Sequence, residues 1–293
     1  MSTQQEDQNL EDSLTTSSYI LPHVILIQLK SIIYTHKIIL FLDIDGTISE
    51  FHPDPEKSII KTETLNTLQE LQQYIKLVLV SGRSITQAQQ LIHPYHWNIA
   101  GSHGLELYYQ SHLSKLINFD SSQFKLLKNY ITEHRIHLSL TRIEIKDYSV
   151  ALHFREHPDL ENQVHAFALD CLAHFQDFEL KAGKFVFELV PKGANKGSAI
   201  QQIIQHDQLS DYYPIFIGDD LTDEAGFQVV NTFKGCSIKV GTGNTVAQHR
   251  LENVTQVQAF LAEFLEIFKA QQQLLSEKLH VETHSVIKSC QST

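Results

Sequence analysis

The sequence predicts an open α/β fold: a parallel-sheet core wound on both sides by helices, with a smaller α+β subdomain inserted into it. Three observations carry this. Short apolar runs recur along the chain, each ending in small or acidic residues: Ile38–Asp43, Leu77–Ser81, Asn98–Ser102, Pro214–Gly218 and Ser237–Val240. Continuous apolar runs of this length mark strands buried on both faces. Helical stretches alternate with them, at Thr62–Tyr74, Ser84–Ile92, Lys196–His206 and Thr222–Val230, and strand–helix alternation builds a parallel sheet with right-handed crossovers. Between Ile117 and Val190 the texture changes, because Thr141–Lys146, Ser149–Arg155 and Lys184–Leu189 alternate apolar with polar residues. Alternation signals a half-exposed antiparallel sheet.

In chain order, residues 1–20 form an acidic, polar lead-in expected to be disordered, and Val24–Ile33 an amphipathic helix on the core. The core is expected over 21–117 and 191–280, and the insert over 118–190, with helices near Phe124–His134 and Leu160–His174. The turn Lys146-Asp147-Tyr148 joins two of its strands. Phe260, Leu261, Phe264, Leu265 and Phe268 mark a closing helix over Gln256–Lys278, followed by a flexible tail, 281–293, fraying beyond His284.

The composition narrows the function classes. Apolar residues make up 42% and charged residues 19% of 293, enough for a packed core. A net charge of −11 repels nucleic acid and anionic membrane. An anionic small molecule could still bind where a few cations or a metal gather in one cleft. Cys171, Cys236 and Cys290 are widely spaced and read as reduced thiols. The polar start lacks a signal peptide's character, and Ile20–Leu42 is broken by His23, Gln28, Lys30, His36 and Lys37, so the expected compartment is the cytoplasm, with no membrane span.

Ligands of open α/β sheets bind beyond the carboxyl ends of the strands. The first strand runs into Asp43-Ile44-Asp45-Gly46-Thr47. Asp43 and Asp45 fall on one side of extended chain, a pairing suited to a nucleophile and a proton donor. A turn closing the strand is the plainer reading. The second strand ends in Ser81-Gly82-Arg83-Ser84: a hydroxyl, free amides and a guanidinium, all suited to phosphate. The plainer reading makes Ser84 the N-cap of the next helix. Lys196 opens a helix after Gly193-Ala194-Asn195 and can reach a phosphate, or stand solvated behind an Asn cap. Asp219, Asp220, Asp223 and Glu224 crowd one strand-to-helix turn. Oxygen ligands at that density point to Mg²⁺. Jointly these strand ends compose a phosphoryl-transfer site.

The ordered set Asp43-x-Asp45-Gly-Thr47, Ser81, Lys196 and Gly218-Asp219-Asp220-x-x-Asp223 resembles the four motifs of the haloacid-dehalogenase superfamily. Finer features, Val80-Ser-Gly-Arg83, Gly101-Ser-His103-Gly-Leu-Glu106, Glu144-x-Lys146, His153-Phe-Arg155 and Phe187-Glu188-Leu-Val-Pro191, are similar to the trehalose-6-phosphate phosphatase family, over roughly residues 38–268. The resemblance implies a Rossmann-like core with a small α/β cap, and Mg²⁺-dependent hydrolysis of a sugar phosphate, the last step of trehalose biosynthesis, linked functionally to a trehalose-6-phosphate synthase. It makes Asp43 the nucleophile and Asp45 the acid and base. It gives the metal to Asp43, the Asp45 carbonyl and Asp219, with Asp220 or Asp223 acting through water. Thr47, Ser81, Arg83 and Lys196 would hold the phosphate, and Gly101, His103, Glu144, Lys146, Arg155 and Glu188 would face the sugar. Val190 departs from the basic or polar residue common before Pro191 in the family. Read alone, His103 is a satisfied structural histidine, and the cap charges are solvated residues on strands.

Two rivals stand beside this reading. Another capped sugar phosphatase would act on sucrose phosphate or a mannosyl phosphate ester. A catalytically silent sugar-phosphate sensor would not need every acid that this chain keeps. A transport ATPase also uses an aspartyl-phosphate but needs membrane helices.

Overall fold

The computed structural model describes residues 19–290, other than 53–54, 117–119, 135–139, 184 and 207–208; the expected lead-in falls almost wholly outside them. After helix α1 (Pro22–Thr35) the core alternates strand and helix: β1 (Lys37–Leu42), α2 (Thr62–Leu71), β2 (Lys76–Val80), α3 (Ile85–Ile92) and β3 (Asn98–Gly101). It resumes with α6 (Lys196–His206), β10 (Tyr212–Gly218), α7 (Glu224–Thr232), β11 (Cys236–Val240), β12 (His249–Leu251) and α8 (Val254–Cys290). A hairpin, β4 (Glu106–Tyr109) and β5 (His112–Lys115), completes an eight-stranded sheet in the order β12-β11-β10-β1-β2-β3-β4-β5. The strands from β12 to β3 are parallel; β4 pairs antiparallel with β3, and β5 antiparallel with β4.

Period-two burial explains the double winding. Ile38, Leu40 and Leu42 point to one face, where α1, α2, α3 and α8 supply Leu29, Leu68, Ala88, Phe260 and Phe264. Ile39 and Phe41 point to the other, against Ile200 and Ile203 of α6 and Phe227 of α7. Both faces are dry, so β1 reads as an unbroken apolar run.

Between β5 and β10 lies the second layer: α4 (Ser121–His134), β6 (Arg142–Ile145), β7 (Val150–His153), α5 (Glu161–His174), β8 (Phe178–Gly183) and β9 (Val186–Pro191). Its strands form an antiparallel sheet ordered β6-β7-β9-β8. Phe124, Leu127 and Ile131 of α4 and Val164, Ala168 and Cys171 of α5, spaced three or four residues apart, cover one face of it. The other face turns toward the core, and β8 packs on the Leu221–Asp223 turn.

Four strands escape the sequence pattern, the first of them β4, the inner arm of the hairpin. β5 is exposed at every position, β12 is three residues long and carries a buried arginine, and β8 is an edge strand with mostly half-buried side chains. α8 continues to Cys290, past the point where fraying was expected, because no Gly or Pro interrupts it. Among the described residues, no helix is long and apolar enough to cross a membrane.

Candidate active site

The carboxyl ends of β10, β1 and β2, adjacent in the sheet, converge with the start of α6. Asp43 follows β1, its amide donating to the Ile217 carbonyl of β10 at 3.0 Å. Asn195 caps α6 by accepting from the Ser198 amide at 2.7 Å, and the next side chain, Lys196, turns inward rather than into solvent. Its Nζ donates to Asp43 Oδ1 and Asp223 Oδ1, both at 2.7 Å, and only 3% of the side chain is exposed. Asp223 uses its second oxygen to accept the Asp219 and Asp220 amides at 3.0 and 2.9 Å, which shapes the turn. Lys239, the charged residue of the fully buried strand β11, donates to the Asp219 carbonyl.

Glycines make room for this packing. Gly46 sits at φ +82°, and a Cβ there would lie 2.0 Å from Asp219 Oδ2. A Cβ on Gly218 would lie 2.4 Å from Asp223 Cγ. Any larger residue would push the acids apart.

Asp43, Asp219 and Asp223 bring ligand oxygens within 4.8 Å of one another. Burial pushes the Asp43 carboxyl above its ordinary value, with Asp223 and Asp219 adding to the rise against Lys196. Asp219 is pushed up to about 7 by burial and then by Asp223. Burial opposes the charge on Lys196, but Asp223 and Asp43 outweigh it and raise its pKa. Lys196 thus pairs with two of the three carboxylates, and Lys239 reaches the third residue only through its backbone carbonyl. Asp219 Oδ1 and Thr47 Oγ1 are also buried without a hydrogen-bond partner among the described residues, a cost that a ligand at this point removes. An oxygen-only donor set with excess negative charge fits a hard divalent cation.

Asp45 stands outside this cluster. Arg83 grips it through Nε and Nη2, both at 2.6 Å, and Ser58 Oγ donates to it at 3.0 Å. The Arg83 guanidinium, expected to face phosphate, is engaged by that carboxylate instead, and the Ser81 hydroxyl accepts the Arg83 amide at 3.2 Å.

Above the cluster the second layer supplies its own polar array. Glu188 Oε1 accepts from Lys146 Nζ at 2.9 Å and Ser149 Oγ at 2.5 Å, and Oε2 meets His103 Nε2 at 2.9 Å. Burial disfavours this carboxylate's charge, but Lys146 and His103 more than compensate and hold its pKa below the usual range. Glu144 is paired with His153 at 2.9 Å, which lowers its pKa. The Arg155 guanidinium lies 4.1 Å from the centre of the Phe51 ring, on the loop after β1. A cavity of about 340 Å³ opens between the layers, lined by His103, Leu180, Lys181, Lys196 and Thr222 among others, which is within the size range of small-molecule sites.

The sequence profile described as trehalose-phosphatase matches residues 41–258. The chain belongs to the trehalose-phosphatase family. The trehalose-6-phosphate phosphatase of Escherichia coli (strain K12) is 33% identical to this phosphatase over 223 residues, covering 75% of this chain and 84% of its own. A solved trehalose-6-phosphate phosphatase related protein superposes with TM-score 0.67 at 27% identity, over 80% of this chain and 99% of its own. The C-terminal domain of the C. albicans trehalose-6-phosphate phosphatase shares the fold, with TM-score 0.75 at 21% identity over 85% of this chain and 98% of its own.

The phosphatase therefore brings together Asp43, Asp219, Asp223 and Lys196, and separately Glu188, Lys146 and His103. Three of the remaining expected site residues make other local contacts. Asp220 accepts the Leu221 amide at 2.7 Å and closes the turn instead of joining the carboxylate cluster. Gly101 packs on the start of α3, where a Cβ would meet the Ile85 amide nitrogen at 2.9 Å. Arg155 rests on Phe51. Ser58, Ser149 and Lys239 had not been singled out, and His153 only as the first residue of the His153-Phe-Arg155 motif; of the first three only Lys239, a lysine inside a buried strand, carried a local signal.

Proposed function

We propose that this phosphatase hydrolyses trehalose 6-phosphate to trehalose and phosphate through an aspartyl-phosphate on Asp43. The observation that carries the reading is the buried grouping of Asp43, Asp219 and Asp223 around Lys196, roofed by a layer whose polar side chains face the same cleft.

Asp43 attacks phosphorus as the bond to the sugar oxygen breaks. Asp45 protonates that departing oxygen, then takes a proton from the water that cleaves the aspartyl-phosphate. To do so it must leave Arg83. Lys196 and Ser81 bind phosphoryl oxygens, and Thr47, with its unpartnered hydroxyl, is placed to join them. Asp43, Asp219 and the Asp45 carbonyl would hold Mg²⁺, with Asp223 acting through water. A bound Mg²⁺ neutralises excess carboxylate charge and stabilises charge on the phosphoryl oxygens. Core and second layer act as two domains, the second being a cap that reads sugar hydroxyls through Lys146 and the groups that hold it. The substrate links the enzyme to a synthase that makes trehalose 6-phosphate.

The test is phosphate release from trehalose 6-phosphate, sucrose 6-phosphate, a mannosyl phosphate ester and 4-nitrophenyl phosphate, with and without Mg²⁺. Preference for trehalose 6-phosphate, abolished by excess chelator and restored by Mg²⁺, is the expected result. Equal rates on every sugar would remove the substrate assignment, and full activity in chelator would remove the metal.

A further inference from the structure

Glu188 has both oxygens engaged, by Lys146 and Ser149 from its own sheet and by His103 from the core. The histidine's backbone is strapped to the phosphate-side turn: its amide donates to the Ser81 carbonyl at 3.0 Å, and the Ser102 amide to the Arg83 carbonyl at 2.7 Å. Ser102 and His103 adopt left-handed φ of 51° and 55°, a conformation that non-glycine residues hold only when their surroundings impose it. Its ring occupies space that Gly82 leaves open, since a Cβ there would lie 2.6 Å from Cε1. The ring is 11% exposed and borders the same cavity as Lys196.

We infer that His103 is a positioning residue: it fixes Glu188, and through it the Lys146 ammonium, at a set distance from the Ser81 turn, so that substrates are selected by the spacing between phosphoryl group and sugar hydroxyls. The inference rests on the reading above of Lys146 and Glu188 as sugar-facing. A ring that merely braced the fold would not need a strained loop tied to the phosphate turn at one end and a buried carboxylate at the other. Among the described residues, Glu188 is the hydrogen-bonded link between the His103 ring and the Lys146 side chain, so the effect of losing the ring should pass through Glu188.

The experiment is a double-mutant cycle of His103→Ala and Glu188→Ala, with kcat and KM measured separately on trehalose 6-phosphate and 4-nitrophenyl phosphate. His103→Ala should lower kcat/KM for the sugar substrate at least about tenfold more than for the aryl ester, since a buried carboxylate loses one partner. The double variant should be no worse than Glu188→Ala. His103→Gln, whose amide can still donate to Glu188, should regain a measurable part of the loss, and it serves as the test if the alanine variant melts early. Additive losses would mean that His103 meets the substrate itself, and equal losses on both substrates would mean a bracing role; either overturns the inference. A selective Glu188→Ala beside a silent His103→Ala overturns it alone, whereas a silent Glu188→Ala overturns the sugar reading as well.

Discussion

The two polar clusters facing the cleft differ in how their charges are balanced. At the strand ends three acids crowd around Lys196, two carboxyls are forced above their ordinary values, and among the described residues two buried oxygens lack hydrogen-bond partners. In the second layer every charge of the Glu188 and Glu144 pairs has its counter-charge or donor within 2.9 Å, and both carboxylates are held below theirs. The first cluster is unbalanced by itself and is completed by what binds. The second is finished beforehand and offers a rigid, nearly neutral hydrogen-bonding face. That division suits a substrate with an anionic end and an uncharged sugar end.

Breaking the unbalanced side should have the largest effect. Asp43→Asn removes the nucleophile, and phosphate release should fall roughly a thousandfold or more; retention of a few percent of activity would disqualify the residue. On the finished side, Lys146→Ala should cost about ten- to a hundredfold in kcat/KM on trehalose 6-phosphate, and far less on a small aryl phosphate that does not span the cleft. Similar losses on both esters would erase the proposed division of labour.

Acid titration sharpens the contrast. Asp219, pushed up to about 7, keeps its proton in the folded metal-free protein where the unfolded chain has released it. The folded state then binds more protons, so this group makes stability fall as pH rises from about 4 to about 7, and adds nothing further above that. Asp219→Asn should therefore raise the melting temperature of the metal-free protein at pH 8 by several degrees while crippling activity. A melting temperature unchanged or lowered at pH 8 would show that the acid cluster is not strained. The smallest effect is expected at Arg155: its replacement by Ala should cost about threefold in kcat/KM on the sugar substrate, the scale of an exposed cation–π contact, and a loss beyond thirtyfold would give it a direct substrate role.

What was legible in the sequence follows from how local each signal is. β1 and β10 are buried on both faces, so their apolar runs end visibly where Asp43 and Asp219 begin. Lys196 was readable only jointly, since a lysine after an Asn cap is ordinarily solvated; its inward turn depends on carboxylates far away in sequence. β5 shows no alternation because neither of its faces is covered, and Arg250 within β12 is satisfied by the Gly241 and Gly243 carbonyls, partners that no local pattern displays. Ser58 and Ser149 are ordinary serines until the fold places Asp45 and Glu188 beside them. Arg83 shows the same dependence on the fold: its chemistry suits an anion, and the carboxylate it meets is Asp45, 38 residues away in sequence.

The strand order also constrains when activity can arise. β1 pairs with β10, Lys37 lying opposite Tyr212, so the central ladder closes across nearly the whole intervening chain, while β6 to β9 pair only among themselves within residues 142–191. During synthesis the second layer can complete its pairing on local contacts, but Asp43 waits, with β1 lacking a neighbour on one side, until the ribosome has released residues beyond Asp223. Closing so long a loop is slow, and an unpaired apolar strand invites aggregation meanwhile. A nascent chain stopped before β10 should carry a folded second layer and no trace of the reactive centre.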